Sequence, residues 1–104
     1  MEDKEIDKSN KSNTIVYTIR WNIIKSARLK RIRGVSFEEI IQAEFLDISD
    51  HPNRDDQWIF IFYHKGYVWA VPFVTESGGV FLKTLYRSRK FNKIYKRRQL
   101  NEKN

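Results

Sequence analysis

No cysteine occurs anywhere in the 104-residue chain. That excludes a disulfide framework, a thiolate metal site and a cysteine nucleophile, and it fits a reducing compartment. No apolar run approaches the roughly 20 residues of a membrane span. The polar, mixed-charge start lacks the apolar stretch of a secretory signal, so a cytoplasmic protein is expected. Phosphate-loop, zinc-ligand and Ser-His-Asp patterns are all missing. Gly78-Gly79 is a turn, not a phosphate cradle. The two histidines, His51 and His64, stand in a proline-containing loop and at a hairpin tip, which does not read as a metal pair. No metal and no cofactor are expected.

Aromatic residues and positive charge are abundant instead. Three Trp, five Tyr and seven Phe give this short chain enough apolar area for one core. The formal net charge is +7, and it is segregated. Residues 1–13 carry −1, residues 14–33 carry +6, residues 34–82 carry −6 and residues 83–104 carry +8. Two basic blocks flank an acidic middle, so a fold that joins them would present one cationic patch to a polyanion.

Residues 1–13 read as a disordered tail. A single domain is expected over residues 14–100, followed by a polar tail at 101–104. Residues 14–21 are β-branched and aromatic, which suits a strand. Asn22 caps a helix that ends near Arg33, with Gly34 just beyond. Ser36 and Glu39 form a capping box flanked by Val35 and Ile40 as a hydrophobic staple. The spacing of Phe37, Ile40, Ile41 and Phe45 predicts a short amphipathic helix, followed by a loop over residues 47–56. Residues 57–64, 67–74 and 80–86 predict an antiparallel meander with turns at Lys65-Gly66 and 76–79. Pro72 marks an edge or a bulge. Phe91, Ile94 and Tyr95 predict a short basic helix over residues 90–100, with Tyr95 packed on the core. The fold class is therefore α+β, in the order β-α-α-β-β-β-α. Trp58, Trp69, Phe60, Phe62 and Phe73 read as core plus protein interface. One face of the sheet is expected to pack the helices, and the other to dock a partner or the N-terminal strand.

The candidate site is the basic end of the chain. In an extended segment residues 83, 85, 87 and 89 point the same way, which would align Lys83, Arg87 and Arg89 along a sheet edge. Arginine suits phosphate because its planar fork grips two oxygens. Tyr86 and Lys25 are candidates for proton transfer. Arg33, Lys90, Lys93, Arg97 and Arg98 are candidates for holding a nucleic-acid backbone.

Trp21-Asn22 followed by Lys25, then Gly34-Val-Ser-Phe-Glu-Glu39, three strands and Ser88-Arg89-Lys90, resembles the BrnT family of bacterial ribonuclease toxins across residues 15–98. The resemblance implies a RelE-like fold: an antiparallel sheet packed by two helices, with a short basic C-terminal helix. It also implies metal-independent cleavage of mRNA, free or on the ribosome. A cognate antitoxin, expected to be a ribbon-helix-helix DNA-binding protein, would neutralise it. Arg89 and Lys90 are the site residues it implies most directly. Two positions depart from the family pattern. Asn22 stands where Asp is usual, and Ile32-Arg33 stand where Lys-His is usual, which removes the obvious general acid or base. The alternative is a non-catalytic nucleic-acid-binding or inactivated homologue that acts through an antitoxin complex and operon autoregulation.

Overall fold

The computed structural model describes residues 18–103, with side chains described through Lys96. The expected tail at residues 1–13, the first part of the strand predicted over 14–21, and the side chains of Arg97 and Arg98 lie outside the described residues. In chain order the elements are β1 (Thr18–Arg20), α1 (Ile23–Arg33), α2 (Phe37–Ile40), β2 (Glu44–Asp50), β3 (Trp58–His64), β4 (Tyr67–Glu76), β5 (Gly79–Leu82), β6 (Tyr86–Arg87) and α3 (Arg89–Lys103).

Helix α1 starts where Asn22 Oδ1 accepts from Lys25 N at 2.9 Å. It ends at Gly34, whose left-handed backbone lets its N–H reach Lys30 O at 3.0 Å. Its last turn carries Lys30, Arg31 and Arg33, which suits the negative end of the helix dipole. Only Ser26 and Leu29 of α1 are buried, while Ile23, Ile24 and Ile32 are exposed. Helix α2 carries the expected capping box: Glu39 N donates to Ser36 Oγ at 3.2 Å, and Ser36 N donates to Glu39 Oε1 at 2.9 Å. Ser26 ties the two helices together. Its hydroxyl donates to Glu38 Oε1 and accepts from Phe37 N at 2.9 Å, while Trp21 Nε1 donates to Glu38 Oε2 at 3.2 Å.

The second helix is shorter than expected. It makes one turn and stops at Ile40, and residues 44–50 form strand β2 in place of a helix end and loop. Phe45 continues the four-residue spacing of Phe37 and Ile41. It lies instead opposite Phe62 in the sheet. The sheet runs β1-β5-β4-β3-β2, with β6 also paired to β4. All of its pairings are antiparallel except β1 with β5, which is parallel. That parallel pair needs a glycine: a Cβ at Gly79 would sit 1.9 Å from Thr18 O. The β3–β4 turn uses Lys65 and Gly66 with φ of 50° and 81°, the two successive left-handed residues of a tight hairpin.

Strand β4 is apolar on both faces because helices cover both. On one face Trp69, Val71 and Phe73 join Phe62, Leu82 and Leu85 beneath Leu29, Val35, Phe37 and Ile40 of the α1–α2 region. On the other, Val68, Ala70, Ile59 and Ile61 meet Phe91 and Tyr95 of α3. The second face, expected to dock a partner or the N-terminal strand, is thus covered by the chain's own C-terminal helix.

Pro72 explains the end of the meander. Neighbouring N–H and C=O groups of one strand residue point to the same side of an antiparallel ladder. Pro72 therefore offers Lys83 N an acceptor, at 2.8 Å, but no donor in return. The ladder stops at Leu82↔Phe73 and resumes at Tyr86↔Ala70. Four residues are traversed on one strand against three on the other, which is a bulge.

Ser26→Ala removes the acceptor of a buried amide and one partner of Glu38, so it should lower unfolding free energy by about 1–3 kcal/mol in urea titrations. Acid should act on the same region. The Lys30 ammonium and the Ser36 N–H hold the Glu39 carboxyl at about 2, below its ordinary 4.5. Glu38 is lowered chiefly by the Ser26 hydroxyl. The unfolded chain then takes up protons first. The stabilisation is present above about pH 4.5 and is lost as pH falls towards 2. Glu39→Gln should flatten that limb of the thermal-midpoint profile.

Candidate nucleic-acid interface

The bulge opposite Pro72 places Tyr86 and Arg87 at the edge of the sheet. Cross-strand neighbours share a face. Arg87, opposite Trp69, therefore belongs to the α1 side, and Tyr86, opposite Ala70, to the α3 side. Both side chains are exposed. The Arg87 guanidinium lies 4.3 Å from the centre of the Tyr67 ring, a cation–π contact that fixes its direction while leaving its donors open.

Helix α1 supplies a group of cations to this edge. The Arg33 guanidinium donates to Leu85 O, and lies 3.5 Å from Thr84 Oγ1. It pins the end of α1 to the bulge. Lys25 lies in the field of Arg28, Lys83 and Arg33, and its amine is lowered from 10.5, first by burial and then by those three charges. Among the described residues no carboxylate lies within salt-bridge distance of Lys25, Arg28, Lys83 or Arg87. The ion pairs Arg20–Glu76 and Lys30–Glu39 fall elsewhere.

Helix α3 supplies the other group. Ser88 is buried, and its N–H donates to Val68 O at 2.9 Å, while its Oγ accepts from Phe91 N at 3.1 Å and so caps the helix. Asn92 Oδ1 accepts from Val68 N at 3.1 Å. These bonds seat the first turn of α3 against β4, so Arg89, Lys90 and Lys93 project from a fixed base. Arg33, Ile32, Trp69, Tyr86 and Arg87 line a cleft of about 350 Å³. A neighbouring cleft of about 440 Å³ is lined by Tyr86, Arg87, Arg89 and Lys90 together with Asp50 and Pro52. A third, of about 450 Å³, lies between Tyr67, Arg89, Lys90, Asn92 and Lys93. Tyr86 and Arg87 wall the first two clefts, and Arg89 and Lys90 the last two. The result is a continuous cationic margin.

The strand alternation expected for 83, 85, 87 and 89 does not hold. Leu85 is 0 % exposed and belongs to the core, β5 ends before Lys83, and Arg89 already opens a helix. The cations still gather, by a different route: Lys83 with Lys25 and Arg33, and Arg89 with Lys90 and Lys93. Arg33 is a strut with one exposed flank, not an open fork. Tyr95 packs on the second core and its hydroxyl donates to Asp47 Oδ2 at 3.0 Å. His51 Nδ1 accepts from Asn53 N at 3.1 Å, and neither histidine lines the three clefts. Sequence reasoning missed Tyr67, Arg28 and Asn92. Arg28 follows Lys25 at helical spacing, a usable signal. Tyr67 and Asn92 depend on strand register and helix seating, which local spacing does not carry. Among the described residues no three His, Asp or Glu side chains converge as a metal set, and no helix is long and apolar enough to cross a membrane.

Lys25 offers a direct check on this geometry. Lys83→Gln removes one like charge, so the Lys25 ammonium should titrate closer to 10.5 in nitrogen-detected NMR. An unchanged titration would place Lys83 outside its field.

No protein-family model matches the sequence, and no curated protein matches it. Among solved structures, the chain is similar to the crystal structure of the Brucella abortus ribonuclease toxin BrnT, at 18% sequence identity and a TM-score of 0.48, over 70% of this chain and 97% of that one.

Proposed function

We infer that the chain is a metal-independent endoribonuclease toxin that acts in the cytoplasm on mRNA and is restrained by a cognate antitoxin. The observation that carries this reading is the margin of cations, unpaired with carboxylates among the described residues, on both sides of Tyr86–Arg87. Cutting RNA without a metal needs the 2′-OH aligned with the leaving 5′-oxygen, charge stabilised on the pentavalent phosphorus, and protons moved. Arg87, Arg89 and Lys83 would meet the developing phosphoryl charge. Lys90 and Lys93 would hold the flanking backbone. Arg33 would keep the bulge in place. The 2′-oxygen would attack phosphorus as its proton leaves, the P–O5′ bond would break, and the 5′-oxygen would take a proton, leaving a 2′,3′-cyclic phosphate. Tyr86, at the meeting of two clefts, and Lys25, whose lowered amine loses its proton more readily than an ordinary lysine, would be the proton carriers.

One observation favours the second reading, a nucleic-acid-binding homologue without catalysis that acts through an antitoxin complex and its operon. Arg33 occupies the place of the family histidine and commits its Nη1 to Leu85 O, and among the described residues no imidazole lines the three clefts.

The purified chain, incubated with end-labelled single-stranded RNA in chelator, should yield fragments ending in cyclic phosphate. Arg87→Ala and Arg89→Ala should each slow cleavage by about 10²–10³-fold, the scale of losing one stabiliser of transition-state charge. RNA that stays intact while binding tightly in low salt would select the second reading. In that case each substitution should instead flatten the log-affinity against log-salt slope by about 0.7–1.

A further inference from the structure

The edge of the sheet away from β6 has the opposite chemistry. Among the described residues β2 pairs only with β3, so one side of its backbone ladder has no strand. A bulge between Phe45 and Asp47 shifts the alternation, which sets Phe45 opposite Phe62 and Ile48 opposite Phe60 on the same face. Those two side chains are 52% and 50% exposed. Beside Phe45 an apolar cavity of about 210 Å³ opens between Ile19, Ile41, Phe60, Phe62 and Leu82. Phe45 forms its wall, edge-on to Phe60 and Phe62 with centroids 6.0 and 5.8 Å away. A long apolar edge strand is a template for another strand unless something selects against it.

Acidic side chains do that selecting. Strand β2 carries Glu44, Asp47 and Asp50, and the loop after it carries Asp55 and Asp56. In the longest antiparallel self-pairing, centred on Asp47, Glu44 would face Asp50 and Asp47 would face its own copy. Like charges directly opposite are unfavourable, so a second copy is a poor occupant. Glu44 and Asp47 stand opposite Tyr63 and Ile61, on the other face from Phe45 and Ile48, while Asp50, opposite Trp58, shares the Phe45 face. A strand with Lys or Arg on the Glu44–Asp47 face would find opposite charge there, where Asp47 also accepts from Tyr95, and its apolar residues would lie beside Phe45 and Ile48.

We propose that β2 accepts an added β-strand from a protein partner, in a segment that alternates apolar with Lys or Arg residues, one apolar side chain entering the Ile19–Phe60 cavity. Backbone hydrogen bonds would supply affinity, and the alternation would supply specificity. The inference stands on the β2 edge alone and does not depend on nuclease activity.

The test uses the full chain and fluorescein-labelled Lys-Val-Lys-Ile-Lys-Val-Lys amide, read by anisotropy. Three comparison peptides have Glu in place of Lys, the same composition with the lysines grouped, and no apolar residue. Saturable binding of the alternating Lys peptide, at least about tenfold tighter than any comparison peptide, is expected, since loss of one anchor commonly costs that much. Phe45→Asp and Ile48→Asp, each checked by circular dichroism, should weaken it by about tenfold although each adds an attractive charge. Equal binding of the grouped-lysine peptide would reduce the surface to unspecific charge attraction. Unchanged binding in both variants, or no binding at all, would overturn the proposal. A concentration-dependent dimer in sedimentation that Phe45→Asp dissolves would make a second copy the occupant and overturn it equally.

Discussion

Pro72 gives Lys83 an acceptor and withholds a donor, and the margin of this molecule follows from that asymmetry. A residue with an N–H at this place would let β5 continue straight into β6 along β4. Residues 83, 85, 87 and 89 would then alternate as a single strand, with Leu85 beside Arg87. The bulge instead turns Leu85 into the core and returns the chain to β4 one residue out of phase. Arg87 thereby looks to the α1 face and Tyr86 to the α3 face, the reverse of what an unbroken ladder would give. A strand two residues long thus feeds both clefts. The free Leu85 carbonyl, released from the ladder, is the one that Arg33 takes up.

Gathering like charges costs stability. Two unit charges roughly 7 Å apart repel by about 0.6 kcal/mol in water and about 2.4 kcal/mol at an effective dielectric of 20. The Lys25 amine is lowered first by burial and then by the like charges of Arg28, Lys83 and Arg33, so part of its shift carries that cost. A fold selected for stability alone would place carboxylates between these groups. The chain has such carboxylates but uses them elsewhere: Glu38 and Glu39 join α1 to α2, and Glu76 pairs with Arg20. Among the described carboxylates Asp50 alone lines the three cationic clefts. The unspent repulsion is what a bound anion would relieve.

What the sequence disclosed divides by the range of the interactions involved. The caps at Asn22, Gly34 and Ser36 and the Lys65-Gly66 turn are each decided within a few residues, and each is present in the structure, while Val35 and Ile40 both enter one core. The end of α2 was misread because Phe45 satisfies two periods at once, four residues beyond Ile41 and also alternating into β2. Only pairing with Phe62 chooses between them. The basic terminus is legible as a concentration of charge, since charge density survives any local rearrangement, and its cations line neighbouring clefts. Their directions were misjudged because the bulge is caused by Pro72, eleven residues before Lys83 and on another strand. Arg33 looked like an open phosphate ligand for a related reason: its acceptor, Leu85 O, is 52 positions away in the chain.

Strand β4 is where these strands of causation meet. Its successive backbone and side-chain positions hold Ser88 and Asn92 through Val68, Arg87 through Trp69, Tyr86 through Ala70 and Lys83 through Pro72. Four residues of one central strand therefore set the origin of α3, the bulge and the β6 edge together. Because Val68, Ala70 and Val71 are buried between the two cores, this strand has little freedom to shift against either helix layer. The cations on the margin are long and individually flexible, yet their backbones share one rigid reference. The spacing of their backbone origins is then set by the sheet and not by loop motion, and only the side-chain rotamers are left to vary.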